Sequence, residues 1–156
     1  VERSLTNAET LRESLSDLFV LSIPEELRAK KKITENVELP LTPCVPSESW
    51  MVRIRIPVER ISTLESKPDG TLLLTRTSRL TDPKRIATQI GPCAWSYEPR
   101  QLECVLKAVR SSEGRILSVD SLRKCDLDSI LSLNDREIPM AMTVEHSSSI
   151  RPRTEN

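Results

Sequence analysis

The chain has 156 residues with 23 basic and 23 acidic side chains, so it carries no net charge. That length suits one domain with a genuine core plus an arm. Three glycines leave little room for a phosphate-cradling loop, and no apolar run approaches the roughly 20 residues of a membrane-spanning helix.

Charge is unevenly placed. Residues 1–49 hold six basic and nine acidic side chains, against seventeen and fourteen in residues 50–156. The N-terminal part reads as an arm. Thr6 and Glu9 form a capping box, and Leu11, Leu15 and Leu18 share one helical face with Phe19 beside it. A helix of that length is marginal alone, so these four residues are expected to bind a partner. Pro24 ends the first helix, and Glu25 to Ile33 reads as a second, with Glu25 and Glu26 at its front and Lys30 to Lys32 at its back, matching the helix dipole. Pro40, Pro43 and Pro46 recur at the polyproline period and suggest an extended strap.

Trp50, Val52, Ile54 and Ile56 alternate with polar neighbours as in a half-buried strand, and Pro57 implies an edge or a bulge. Lys67-Pro68-Asp69-Gly70 is turn chemistry leading into a strand from Leu72 to Thr77. Asp82-Pro83 reads as the start of a short helix carrying Ile86, Ala87 and Ile90, stopped by Gly91-Pro92. Cys93, Trp95 and Tyr97 have strand period. Leu102, Val105, Leu106 and Val109 then repeat at i, i+3, i+4, i+7 and predict a second helix facing the sheet. Ile116 to Val119 reads as a strand, and a closing hairpin turns at Asn134-Asp135, with Ile138, Met140, Met142 and Val144 on one face. Ser147 to Asn156 reads as a polar tail.

Signals for catalysis are sparse. His146 is the single histidine, so neither a hydrolytic triad nor a histidine zinc site is well supported. Cys44, Cys93, Cys104 and Cys125 are too far apart for a metal knuckle or a redox pair, and buried free thiols are the plain reading. Asp120, Asp126 and Asp128 lack the glycine and spacing of a calcium loop. The chain is therefore read as non-enzymatic, with no metal and no cofactor. The best functional signal is basic: Arg76, Arg79, Lys84 and Arg85 fall within ten residues around a proline turn, an arrangement suited to a phosphate backbone.

One resemblance bears on that signal. The run from Leu73 to Pro83, the Lys107-Ala108-Val109 triplet and the hairpin from Ser129 to Glu145 resemble the Alba domain and its relative, the stage V sporulation protein S domain. The resemblance implies DNA or RNA binding through the first turn and the hairpin tip, here Arg76, Arg79, Lys84, Arg85 and Arg136. The expected fold is α+β, a small sheet with two helices on one face in β-α-β-α-β-β order, preceded by a hairpin and a helical arm. Residues 1–49 are assigned to the arm and strap, 50–146 to the core and 147–156 to the tail. The expected role is a non-catalytic, nucleic-acid-associated subunit of a large assembly, such as a mitochondrial ribosomal protein. The alternative is a purely structural subunit of a mitochondrial complex without RNA contact. Other protein subunits and RNA are the expected partners, without membrane insertion, and the expected location is mitochondrial, otherwise cytoplasmic.

Overall fold

A single antiparallel sheet dominates the computed structural model, which describes residues 23–41, 54–90, 93–134 and 136–151. One short helix, α1 (Glu25–Lys30), precedes seven strands: β1 (Lys32–Leu41), β2 (Ile54–Ser66), β3 (Leu72–Leu80), β4 (Ile86–Ile90), β5 (Cys93–Arg110), β6 (Ile116–Leu133) and β7 (Arg136–Ile150). Their order in the sheet is β1-β2-β3-β5-β6-β7, with β4 pairing β5 beside the far end of β3's ladder. No helix among the described residues is long and apolar enough to cross a membrane.

This architecture corrects the expected α+β fold with its β-α-β-α-β-β order. Ile86 to Ile90, expected as a helix, is β4, antiparallel to Ile90's partner Cys93 and onward to Tyr97. Leu102 to Val109, expected as the second helix, lies within an 18-residue strand. The reason is a doubly satisfied pattern. Leu102, Val105, Leu106 and Val109 fit the helical period, but Leu102, Cys104, Leu106 and Ala108 fit the strand period equally well. Long-range pairing selects the second: β5 is laddered to β6 over nearly its whole length and to β3 along Cys104 to Arg110. The expected second arm helix also stops early. Lys31 adopts a left-handed conformation (φ 62°) and donates its N–H to the Leu27 carbonyl at 2.9 Å, after which β1 begins.

The turns follow their local chemistry. Gly70 takes the positive φ (80°) that closes the β2–β3 hairpin, and Lys67 N–H bonds the Thr71 carbonyl at 2.8 Å. Asn134 (φ 48°) opens the β6–β7 turn. Around Asp82-Pro83 the chain makes a tight bend, with Lys84 N–H on the Asp82 carbonyl at 2.8 Å.

With six residues of helix among the described residues, the sheet supplies most of its own second layer there. β5 is kinked by a bulge at Arg100, which has no ladder partner between Pro99 and Gln101. The sheet curls so that Leu39, Leu41, Ile54, Ile56 and Val58 from β1 and β2 pack against Trp95, Tyr97, Cys125 and Leu127 from β5 and β6. The Trp95 and Tyr97 rings lie 5.0 Å apart, centre to centre, tilted by 39°. A second cluster forms where Ile23 and Leu27 of the α1 region cover Leu64, Leu74, Leu106, Ala108 and Val119.

Strand and helix readings predict different mutational outcomes at adjacent residues. Leu106 is buried on the inward face, so Leu106→Thr should cost about 2 kcal/mol or more. Val105 faces outward and is half-buried, so Val105→Thr should cost within about 0.5 kcal/mol. Urea unfolding of the two variants measures the difference; equal losses would contradict the alternation.

Candidate functional site

The inward positions of the sheet are apolar at both ends and polar in between. Cross-strand register builds the polar part as two rows. One runs Glu35–Arg60–Ser78–Cys104–Arg123–His146, and the next runs Ile33–Ser62–Arg76–Leu106–Ser121–Ser148. The two rows lie between the clusters, with Cys104 packed on the Trp95 cluster and Ile33 and Leu106 on the Leu27 cluster.

Arginines on three strands converge in this band. Arg60 from β2, Arg76 from β3 and Arg123 from β6 line a small cleft with Ser78, Cys104 and Ser121. Glu35, directly opposite Arg60 in the ladder, lies 3.8 Å from its guanidinium. Burial lowers the Arg76 pKa from its usual value, and repulsion from Arg60 lowers it further, outweighing the opposing attraction of Glu35. Burial also raises the Cys104 thiol, although a Ser78 hydrogen bond and the Arg60 charge act in the other direction. Ser121 and Ser148 hydroxyls share a 2.8 Å hydrogen bond.

The five residues expected to bind nucleic acid are dispersed. Arg76 is inward, in the cleft. Arg79 is three residues further along the strand and so faces outward, ion-paired at 2.7 Å with Glu59 opposite it. Lys84 pairs with Asp82 at 2.6 Å in the bend. Arg85 reaches Glu98 at 3.4 Å and the Ser96 hydroxyl at 3.3 Å. Arg136 opens β7 opposite Leu133. Because β4 is a strand, no helix N-terminus adds potential at this turn. Leu11, Leu15, Leu18 and Phe19 lie outside the described residues.

Outward charges are generally matched across strands. Arg55 pairs with Glu38, and Arg100 with both Glu98 and Asp128. Asp120 accepts from Ser149 and from Arg151, and those hydrogen bonds hold its carboxyl below the usual range. Asp126 accepts from Thr143 at 2.7 Å. The three aspartates thus have separate protein partners, and no metal-holding group of His, Cys, Asp or Glu occurs among the described residues.

β7 carries a second feature. It pairs with β6 without a register shift from Arg136 to Ile150. Pro139 sits opposite Ile130, and Pro99 sits opposite Leu127, whose other neighbour is Met142. A proline is accommodated where its missing N–H would point away from the paired strand. Both prolines therefore assign the same phase: even-numbered residues of β7 bond to β6, and odd-numbered residues turn their backbone groups to the outer edge. Ile138 and Ile150 are 49% and 39% exposed along this strand.

Arg60 and Arg123 were missed in the sequence pattern. Their signal is a polar break in an apolar alternation, as in Ile54, Ile56, Val58, Arg60, Ser62, Leu64. No protein-family model, curated protein or solved structure matches the chain.

Beside the band, burial and the Asp126 carboxylate push the Cys125 thiol from 9.0 up to about 12. The sign follows from linkage: above the usual thiol pKa the unfolded chain loses a proton that the folded chain retains, so stability falls as pH rises from 9.0 toward about 12. Cys125→Ala should flatten part of that decline in the urea midpoint. A decline as steep in the variant as in the parent would contradict this assignment.

Proposed function

We propose that the protein is a non-catalytic subunit of a larger assembly that holds a neighbouring protein by strand addition along β7. The observation that carries this reading is the contrast between the two sheet edges. β1 has ten residues and is interrupted by Lys32, Glu35, Glu38 and Pro40, the charges and proline that protect an edge from pairing. β7 has fifteen residues, and after Pro139 its remaining run to Ile150 contains Glu145 and His146 amid methionine, alanine, threonine, valine, serine and isoleucine. Among the described residues it pairs with β6 alone.

Strand addition uses main-chain hydrogen bonds for affinity and alternate side chains for selectivity. β7 offers outward backbone groups at Ala141, Thr143, Glu145 and Ser147, with Met140, Met142 and Val144 half-buried on the inward side. A partner strand continuing the sheet would extend that inward apolar strip. A protein strand fits this geometry better than an RNA backbone does, because Arg79, Lys84 and Arg85 each lie against a carboxylate.

Proline substitutions separate edge binding from folding. Ala141→Pro with Glu145→Pro removes two outward donors and leaves the bonding phase to β6 intact, so the fold should persist while recovery of the tagged chain in its parent assembly drops about tenfold or more. Val144→Pro removes an inward donor and should destabilise the chain itself. Full recovery of the folded Ala141→Pro, Glu145→Pro variant in the assembly would overturn the proposal.

A further inference from the structure

A strand added at the β7 edge brings side chains as well as backbone, and the outward face beside that edge is shaped to receive one. Cross-strand register sets Val105, Leu122 and Ser147 in one outward row over β5, β6 and β7. Two charged rows flank it, Glu103–Lys124–Glu145 on one side and Lys107–Asp120–Ser149 on the other. Between them runs a groove of about 490 Å³, floored by Val105 and Leu122 and reaching the edge at Ser147. Sites that take a ligand group have volumes of this order. Val105 and Leu122 are half-buried, whereas Ser147 is exposed and too short to cover them.

Geometry narrows the occupant. Ser147 turns its N–H and carbonyl to the outer edge, so an added antiparallel strand places one residue directly opposite it, with its side chain on the same outward face. Strands lie about 4.8 Å apart, which sets Leu122 roughly 10 Å from the added backbone. Alanine, serine or valine at that position stops over Ser147; a long, flat side chain crosses it and rests on Leu122. Charge within the groove is already matched. Asp120 accepts from Ser149 and from Arg151, and Lys124 stands between Glu103 and Glu145. An aromatic ring suits such a place, with a large apolar area and few rotatable bonds to immobilise. The row beside it ends at the edge in Glu145, so a lysine or arginine on the added strand continues the alternation of sign there.

Given strand addition along β7, on which this rests, we propose that the groove over Val105 and Leu122 is the specificity pocket for the partner strand. It takes an aromatic side chain from the residue opposite Ser147, and a lysine or arginine two residues further along the partner faces Glu145. The occupant is a protein strand of aromatic-x-basic pattern, with apolar residues on its inward face beside Val144 and Met142.

Binding of the peptide Thr-Trp-Thr-Lys-Val-Thr-Val to the full chain, read by fluorescence anisotropy of the labelled peptide, tests this. Its tryptophan is placed to lie opposite Ser147 and its lysine opposite Glu145. Replacing the tryptophan by serine should weaken binding about tenfold or more, through lost apolar burial. Replacing the lysine by glutamate should weaken it about threefold. Ser147→Trp fills the groove from the chain's own side and should erase the difference between the tryptophan and serine peptides. Glu145→Lys should reverse the preference for lysine over glutamate. Both positions are exposed and outward, so both variants should keep the parent's urea midpoint. Equal affinity for the tryptophan and serine peptides, abolished by Ala141→Pro with Glu145→Pro, would overturn the pocket and leave strand addition standing. Binding of no peptide, or binding that the edge prolines leave unchanged, would overturn both.

Discussion

The β5–β6 ladder is the constraint on which the rest of the structure depends. Both strands run 18 residues, and β5 accepts β3 along its C-terminal half and β4 along its N-terminal half. The Arg100 bulge lets this long hairpin bend without losing its partner. That bend brings the β1–β2 end of the sheet over Trp95, Tyr97, Cys125 and Leu127. With only α1 as helical cover among the described residues, an uncurled sheet would leave Leu39, Leu41, Ile54 and Ile56 in water. Burial of each such side chain is worth about 1.5–3 kcal/mol, so curling, rather than any single turn, sets the fold.

Curling also explains why one face can hold both a core and a polar band. The same inward alternation supplies the Trp95 cluster, the Leu27 cluster and the polar band between them. Arginines suit that intermediate depth, because their stems pack on apolar neighbours while the heads stay near solvent. Exposed ion pairs on the outward face contribute little individually, about 0–1 kcal/mol each, yet they cancel the charges around them. Carboxylates outnumber cations at the outward ladder positions, while Arg60, Arg76 and Arg123 lie together on the inward face, a distribution hidden by the zero net charge of the chain.

Local chemistry was legible where it acts alone. Lys67-Pro68-Asp69-Gly70 and Asn134 form the turns their residue types favour, and Ile138, Met140, Met142 and Val144 share a face as their alternation implies. The segments 86–90 and 99–110 were not legible, since their apolar residues satisfy two periods and partners distant in sequence decide between them. Pro99 lies next to the bulge in mid-strand. The arginine cleft was hidden for a related reason. Arg60, Arg76 and Arg123 each look like an isolated polar residue, and only the register of β2, β3, β5 and β6 makes them neighbours.

Residue-resolved amide hydrogen exchange on the free chain tests the central claim most directly. The account predicts slow exchange along β5 and β6, and on β7 an alternation with protected even-numbered amides and fast odd-numbered ones. Protection of consecutive amides from Gln101 to Val109 with helical rather than cross-strand nuclear Overhauser contacts would contradict it. So would uniform protection along β7 in the isolated chain.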